Sequence, residues 1–300
     1  MQNLPDVIES KSFDRMLQHA REWGLTIDNT LETETSVVAF GNRATASGSQ
    51  SVVLKVIKRE CDEWRSGEIV RAFDGNGMAR VYEHGPGAAL LEQLKPGKSL
   101  AEMSISGKDA EATDVFADVI NQMSKARNAE GSYPVPVTVW DWAKGFERYV
   151  ATGDNQLPMQ LVESARHLFL ELCASQREPR LLHGDLQHYN VLFDSERGWL
   201  AIDPKGVVGE TEYEIGAILR NPIEQPDLFT SRDVIERRTK KLAERLGLDY
   251  GRILSWAFAQ AVLSAIWDIE DGFPVDAKNP QLRLAEVLQP MLRGPTSLRS

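Results

Sequence analysis

The chain has 300 residues, of which 42% are hydrophobic and 26% charged, which is enough for one large domain or two lobes with separate cores. Its formal net charge of -10 makes the average surface repel phosphate backbones and anionic membranes, so we expect a cationic small molecule as partner rather than nucleic acid. The first residues show no basic segment followed by an apolar run, and no later window approaches about 18 apolar residues, so we expect a cytoplasmic chain without a membrane segment.

The two cysteines predict neither a disulfide framework nor a zinc site. Cys61 and Cys173 lie far apart in sequence, and neither has His or Cys companions at metal-ligand spacing. We therefore expect two reduced thiols. The oligomeric state is left open by the sequence.

The first third of the chain predicts a β-rich lobe over residues 1–93. In chain order, its predicted elements are a helix over 12–23, strands over 36–41 and 51–57 joined by a longer loop, a helix over 60–73, and strands over 79–85 and 88–94. Pro96 and Gly97 then punctuate the chain, and the pattern changes after them. We therefore predict a hinge over 94–98.

The remainder, 99–300, predicts a larger and mostly helical lobe. Helical periodicity covers residues 108–127, 158–176, 231–246, 252–268 and 281–292. The clear β signal in this part is a pair of apolar runs, 190–194 and 198–203, joined by a polar turn.

The segment 181–206, LLHGDLQHYNVLFDSERGWLAIDPKG, carries the candidate chemistry. Its hairpin should return Asp203 close to Asn190, and Asp185 precedes them on a polar loop of the kind that holds catalytic side chains. Oxygen ligands of the Asp and Asn type suit Mg²⁺, which bridges to substrate phosphates. The third element of the set, a carboxylate free of metal, can accept a proton from an attacking hydroxyl.

This pattern of His183, Gly184, Asp185, Asn190 and Asp203 resembles the catalytic loop and metal-binding segment of the protein-kinase-like superfamily. Gly184 stands where protein kinases have Arg, and Asp-Pro replaces Asp-Phe-Gly, as in aminoglycoside phosphotransferases and their choline and homoserine kinase relatives. The stretches that are similar to the streptomycin 6-phosphotransferase branch, also described as aminoglycoside/hydroxyurea resistance kinases, are 74–84, 198–222 and 254–272.

The resemblance implies an α+β, bilobal protein-kinase-like fold. It has a small antiparallel sheet in the N-terminal lobe, a larger helical C-terminal lobe, and ATP in the cleft between them. By the same resemblance, Asp185 is the catalytic base, and Asn190 and Asp203 hold the Mg²⁺ ions that bridge the phosphates of ATP. His183 is expected to support the loop rather than react.

Further nucleotide contacts are implied in the first lobe. Lys55, in the apolar strand VVLKVI, is expected to bind the α- and β-phosphates of ATP, with Glu63 preferred to Glu68 as its partner on the following helix. The phosphate-covering turn has no glycine-rich motif and offers Thr33, Thr35 and Ser36 instead. Backbone groups from Glu92 to Leu94 are expected to meet adenine.

Two acidic patches are candidates for binding a cationic acceptor. The first follows the apolar face of the helix predicted over 252–268 and comprises Trp267, Asp268, Glu270 and Asp271. A carboxylate can pair bidentately with a guanidinium, and an aromatic ring can cover a cation. The second comprises Glu210, Glu212 and Glu214. Either patch is also compatible with an ordinary solvated helix end.

Three hypotheses follow. The leading one is ATP-dependent phosphoryl transfer to a hydroxyl of an aminoglycoside, as in a streptomycin 6-kinase that inactivates the antibiotic. A second keeps the chemistry but changes the acceptor to a metabolite hydroxyl such as choline, an amino alcohol or an amino sugar. The third is a pseudokinase that binds nucleotide without turnover, and the intact set of Lys55, Asp185, Asn190 and Asp203 argues against it.

Overall fold

A computed structural model describes residues 4–46, 48–126 and 137–292 and divides the chain into two compact units. The first unit comprises Met1–Lys98, Gln122–Tyr133 and Leu192–Lys205, and the second comprises Ser99–Asn121, Pro134–Val191 and Gly206–Ser300. The segment that contains Asp203 therefore belongs to the same unit as Lys55. The lobe boundaries at 93 and 99 stay predictions.

The described elements are mostly strands in the first unit and mostly helices in the second. In chain order they are α1 (Leu4–Glu22), β1 (Leu25–Glu32), β2 (Ser36–Thr45), β3 (Gly48–Ile57), α2 (Ser66–Phe73), β4 (Val81–Gly85), β5 (Ala88–Glu92), β6 (Pro96–Ser99), α3 (Leu100–Ile105), α4 (Asp109–Met123), α5 (Val139–Thr152), α6 (Met159–Ala174), β7 (Arg180–Leu182), β8 (Val191–Asp194), β9 (Gly198–Ala201), β10 (Val207–Gly209), α7 (Thr211–Leu219), α8 (Pro226–Phe229), α9 (Arg232–Leu246), α10 (Tyr250–Glu270) and α11 (Pro280–Leu292).

A five-stranded antiparallel sheet forms the first unit, in the order β1-β2-β3-β5-β4. Val52, Leu54 and Val56 of β3 are buried and pack in one core with Met16 and Ala20 of α1. Because side chains alternate across a strand, Lys55 lies on the face of the sheet opposite to this helix. The alternation in β3 therefore separates the core from the candidate phosphate site.

A three-stranded sheet, in the order β6-β8-β9, positions the residues that follow the hairpin. The Ser195 amide donates to the Lys95 carbonyl at 2.7 Å, and Ala201 is bridged to Met78. Leu200 packs in a small core with Ala79 and Leu94. Asp203 thus follows a strand that is fixed within the first unit.

The second unit is built around α10, which is buried over most of its length. A helix that is apolar on all sides is an interior helix, and α10 contacts α5, α6, α7, α9 and α11. The short antiparallel pair of β7 and β10 holds Leu182 opposite Val207. The loop that carries His183 and Asp185 therefore begins at an ordered strand.

The periodic helices predicted from the sequence are present, although α1 begins at Leu4 rather than at residue 12 and α2 begins at Ser66 rather than at residue 60. The longer loop predicted between 41 and 51 was wrong, because Asn42 and Arg43 hydrogen-bond across the strands to Ser51 and Gln50 and extend both strands. Residue 47 of that hairpin, and residue 127 of the helix predicted over 108–127, lie outside the described residues. Within the described residues, none of the helices is both long and apolar enough to cross a bilayer.

Candidate active site

Lys55 lies between two carboxylates in the first unit. Its Nζ is 3.1 Å from Oε2 of Glu63, and it also binds Oδ1 of Asp203. Glu63 lies in the short 3₁₀ turn that precedes α2, whereas Glu68 within α2 binds Arg65 at 2.8 Å. The structure therefore brings together Lys55, Glu63 and Asp203, and Glu68 has a different partner.

Lys55 and Glu63 stabilise each other's charged form. Burial lowers the pKa of Lys55, but the charges of Asp203 and Glu63 raise it by more. The net pKa of the ammonium therefore lies above its ordinary value. Burial raises the pKa of Glu63, and Lys55 and Lys205 more than offset this, so the net pKa lies below its ordinary value. Lys55 and Glu63 are therefore both ionised at neutral pH. Lys205 Nζ lies 3.3 Å from Oε1 of Glu63.

Asp203 has a backbone conformation that side chains seldom adopt. Its φ is 62°, in the left-handed region that costs a residue with a Cβ about 1–3 kcal/mol unless the surroundings enforce it. Its side chain is 42% exposed although Oδ1 binds Lys55. Such a strained, accessible carboxylate is typical of functional sites, and its second oxygen can take a further ligand.

The loop that begins at His183 is anchored by its own backbone. The Asp185 amide donates to Nδ1 of the buried His183 at 3.2 Å, which supports the loop as predicted from the sequence. Gly184 has a φ of 83°, which glycine adopts without a Cβ clash. This conformation explains in physical terms why a glycine occupies the position.

Glu214 of α7 is the main anchor of that loop. Its carboxylate accepts the amides of His183 at 2.7 Å and of Gly184 at 3.0 Å, and it is 2% exposed. Burial raises the pKa of Glu214 to about 7 despite these hydrogen bonds, which favour the charged form. Glu214, predicted from the sequence as part of an acidic patch, is therefore an interior group beneath the loop.

Asp185 has two neighbours that orient it. Nδ2 of Asn190 donates to the Asp185 carbonyl at 2.9 Å and lies 3.4 Å from Oδ2. Arg220, at the end of α7, places a guanidinium nitrogen 3.6 Å from Oδ1. Because the amide nitrogen of Asn190 is turned toward Asp185, its oxygen is the atom that can bind a metal.

Two segments predicted to contact the nucleotide, the turn that contains Ser36 and the segment from Glu92 to Leu94, form hydrogen bonds within the first unit. The hydroxyl of Ser36 lies 2.8 Å from that of Thr33, and the Ser36 amide donates to Thr33 Oγ1 at 3.0 Å, so this turn between β1 and β2 is internally bonded. The Glu92 amide donates to the Arg80 carbonyl at 2.9 Å, and its carboxylate binds Arg197. Leu94 lies just beyond β5.

The first acidic patch, at the end of α10, divides into accessible and engaged groups. Burial raises the pKa of Asp268, although a hydrogen bond from Asn279 Nδ2 to its Oδ2 at 2.7 Å and the charge of Arg220 oppose the shift. Trp267 is partly exposed and packs edge-to-face on Trp142, with ring centroids 5.4 Å apart. Glu270 is bound bidentately by Arg148 at 2.9 and 3.0 Å, and Asp271 is exposed at the end of the helix.

The burial of Glu210 argues against the substrate-binding role predicted for it. It has no exposed surface, and its carboxylate binds Arg252, the indole of Trp256 and the Arg177 amide. A carboxylate that is buried and engaged by three donors acts inside the fold rather than on an acceptor.

Two cations, Lys205 beside Glu63 in the first unit and Arg220 beside Asp185 in the second, were not among the residues predicted from the sequence. Lys205 follows Asp203 by two positions, a spacing that in an extended segment places both side chains on one side. That spacing was the available signal. Arg220 ends an apolar helix, and nothing local distinguishes it from an ordinary basic C-terminus.

Comparison with known proteins supports the kinase assignment. A family model described as aminoglycoside/hydroxyurea antibiotic resistance kinase matches residues 23–272. The chain is 33% identical over 253 residues to a streptomycin 3''-kinase of Klebsiella pneumoniae, covering 83% of this chain and 91% of that protein. It is 30% identical over 246 residues to a streptomycin 6-kinase of Streptomyces glaucescens, covering 76% and 78% respectively.

The fold is shared with a solved aminoglycoside phosphotransferase. A thermostable mutant of APH(4)-Ia, in a ternary complex with ADP and hygromycin B, superposes with a TM-score of 0.62 at 15% identity, covering 91% of this chain and 97% of that one. The α+β kinase-like fold predicted from the sequence is thereby confirmed. The chain is therefore a small-molecule kinase that belongs to the aminoglycoside/hydroxyurea antibiotic resistance kinase family, as its motifs predicted.

Proposed function

We propose that the chain transfers the γ-phosphoryl group of ATP to a hydroxyl of a streptomycin-type aminoglycoside in the cytoplasm, where ATP is available. One observation carries the proposal: the family match over 23–272 contains all the residues of the predicted catalytic set, from Lys55 to Asp203. The two relatives described above are named for different hydroxyls of streptomycin. The proposal therefore specifies the antibiotic class, with the 6-hydroxyl as the position expected from the motifs.

In this proposal, Lys55 binds the phosphates of ATP. A strand lysine paired to a carboxylate is the arrangement that kinases use for the α- and β-phosphates. Glu63 holds the ammonium at 3.1 Å, and Lys55 is 8% exposed, so its charge acts in a site of low water content. Backbone groups from Glu92 to Leu94 are assigned to adenine.

Asp203 and Asn190 would hold Mg²⁺. The residues fit the ion, because each offers a side-chain oxygen: one carboxylate oxygen of Asp203 beyond the one that binds Lys55, and the amide oxygen of Asn190. When bound, Mg²⁺ supplies positive charge to the β- and γ-phosphates. The strained backbone of Asp203 fixes the carboxylate in advance of binding.

Asp185 is assigned as the general base. The acceptor hydroxyl oxygen forms a bond to the γ-phosphorus, the bond between that phosphorus and the bridging oxygen breaks, ADP leaves, and the hydroxyl proton passes to the Asp185 carboxylate. The contacts from Asn190 and Arg220 hold that carboxylate in one orientation. A base that is already oriented lowers the activation barrier, because less orientational freedom is lost when the transition state forms.

Asp268 and Trp267 are assigned to the cationic acceptor. Asn279 binds one carboxylate oxygen of the partly exposed Asp268 at 2.7 Å, and the other oxygen is assigned to the cationic group. The Trp267 face can cover such a cation. Asp271 is the exposed carboxylate of the same helix end, and Glu270 would have to leave Arg148 to take part.

The test is a coupled ADP-release assay with Mg-ATP and a panel of acceptors: streptomycin, other aminocyclitols, hydroxyurea, choline and small amino alcohols. Asp185→Asn should lower kcat on the true acceptor by about 10²- to 10⁴-fold, because it removes a general base. Asp233→Asn, at an exposed position in the first turn of α9, is the matched control and should retain wild-type turnover. Mass spectrometry and NMR of the product then identify the phosphorylated hydroxyl.

Each outcome has a definite reading. A kcat/KM for streptomycin far above that for the other acceptors supports the proposal, since a true substrate is favoured in the transition state. A higher kcat/KM for choline or an amino alcohol would replace the acceptor class. Binding of Mg-ATP without transfer to any acceptor in the panel would instead support a pseudokinase.

A further inference from the structure

Lys205 makes a contact within the nucleotide cluster that the proposed roles do not use. Its Nζ lies 3.3 Å from Oε1 of Glu63, while Lys55 Nζ lies 3.1 Å from Oε2 of the same carboxylate. The two oxygens of Glu63 therefore bind two different ammonium groups. Asp203, two residues before Lys205, binds Lys55 in turn.

This arrangement fixes the plane of the Glu63 carboxylate. A carboxylate with one ammonium partner can turn about its terminal torsion and keep that partner, whereas one held at both oxygens has a single orientation. Glu63 lies in a 3₁₀ turn with a side chain 18% exposed, so it is partly accessible to water, which competes with ion pairs. The second ammonium is therefore the contact that resists rotation of Glu63.

The orientation of Glu63 matters because the ammonium of Lys55 is shared. Lys55 is bound by Glu63 on one side and Asp203 on the other. If Glu63 turned away, Asp203 would remain as the partner of Lys55 and would compete with phosphate for its ammonium. The turn between β1 and β2 adds no glycine-rich cradle, and its Thr33 and Ser36 hydroxyls bind each other. Lys55 must therefore supply much of the phosphate binding.

We propose that Lys205 is a positioning residue, which holds Glu63 so that Glu63 keeps the Lys55 ammonium in place for the phosphates of ATP. The inference rests on the proposed function in one respect, the role of Lys55 in binding ATP. Lys205 acts through Glu63 and does not itself contact the nucleotide.

The first experiment measures binding of Mg-ATP without acceptor, by calorimetry, together with KM values for ATP and streptomycin. Lys205→Met should raise the Kd and KM for ATP about fivefold, the scale of one partly exposed ion pair, and leave KM for streptomycin within about twofold. Lys205→Arg should restore most of the affinity, because it keeps a cation at the position. Lys11→Met, which removes an exposed lysine of α1, is the matched control and should bind ATP as the wild type does.

A double-mutant cycle with Glu63→Gln tests whether Lys205 acts through Glu63. If it does, Lys205→Met should change the Kd for ATP by less than about twofold in the Glu63→Gln background. An undiminished fivefold loss in that background would overturn the proposal and indicate direct contact with phosphate. Wild-type affinity in the Lys205→Met single variant would overturn it as well.

The outcome is separable from that of the proposed function. The Kd for ATP of Lys55→Met tests the role of Lys55 directly. Turnover of the wild-type protein with the acceptor panel tests the reaction. Neither measurement involves a change at Lys205. The Kd for ATP can be measured even if no acceptor is phosphorylated. If Lys205→Met fails to fold, as judged by thermal melting, Lys205→Gln keeps a polar side chain of similar reach and is put through the same cycle.

Discussion

Replacing Glu214 by Gln should change how stability depends on pH. Glu214 is buried beneath the loop that carries Asp185 and accepts the amides of His183 and Gly184. Gln has the same shape and retains one carbonyl oxygen, so it preserves part of this bonding but cannot ionise. The substitution therefore isolates the charge of the carboxylate from its volume.

The size of the effect follows from the pKa of Glu214. Burial raises this pKa from the ordinary 4.5 to about 7 in the folded chain. Because the folded value is the higher one, the stabilising contribution is complete below the unfolded pKa and is lost as pH rises through about 7. The difference between 4.5 and about 7, at roughly 1.4 kcal/mol per pH unit, corresponds to about 3 kcal/mol.

Urea unfolding of both proteins at several values from about pH 5 to pH 8 measures this contribution. Relative to the wild type, Glu214→Gln should gain about 2–3 kcal/mol of unfolding free energy across that range, because it does not bury a developing charge. Glu147→Gln, at an exposed position of α5, is the matched control and should follow the wild type. If wild type and Glu214→Gln changed in parallel with pH, the carboxylate would not be titrating in the folded interior and the reasoning would fail.

Three further results are expected. Arg238→Met removes the buried guanidinium that binds Asp109 and the Ile218 and Asn221 carbonyls, and it leaves Asp109 with Arg237 as its remaining arginine partner. It should lower the unfolding free energy by about 3–5 kcal/mol in urea at neutral pH; a loss below about 1 kcal/mol would count against it. Gly184→Ala forces a Cβ into a φ of 83° and should lower thermal stability, at a cost of about 1–2 kcal/mol, with a fall in kcat; an unchanged Tm would contradict this. A disulfide dye should label Cys61 in the native chain and both cysteines in urea, because burial raises the pKa of Cys173 to about 12, whereas rapid native labelling of both would contradict the burial.

The parts of the fold that the sequence predicted are those set by local pattern. The β-branched run of β3 identifies a strand by itself, and an apolar strand with Lys55 at its centre leaves that lysine on one face. The long α10 is apolar enough to be recognised as interior. By contrast, β7 and β10 are three residues each, and such short strands form because their partner is nearby, which no local window contains.

Some contacts of the candidate site are also predictable from nearby sequence, whereas others depend on tertiary packing. The pairing of Lys55 with Glu63 follows from a strand and the turn after it, a short distance in sequence. The contact of Arg220 with Asp185 joins residues from a helix and a distant loop, so it depends on how α7 packs. Lys205 and Glu63 are separated by 142 positions and meet only in the folded unit. Contacts of this second kind require the tertiary structure: the spacing of Lys205 from Asp203 can place Lys205 near the cluster, but it does not identify Glu63 as its partner.

The acidic residues show why composition alone could not locate the acceptor. Glu210 and Glu214 look alike in sequence, yet one is bound by an arginine and an indole and the other by backbone amides, and both are buried. Asp109 is bound by Arg238 inside the same unit. Carboxylates engaged in this way contribute to the net charge of -10 but cannot bind an incoming cation. The acceptor site proposed above therefore depends on carboxylates that keep some exposed surface, such as the partly exposed Asp268 and the exposed Asp271.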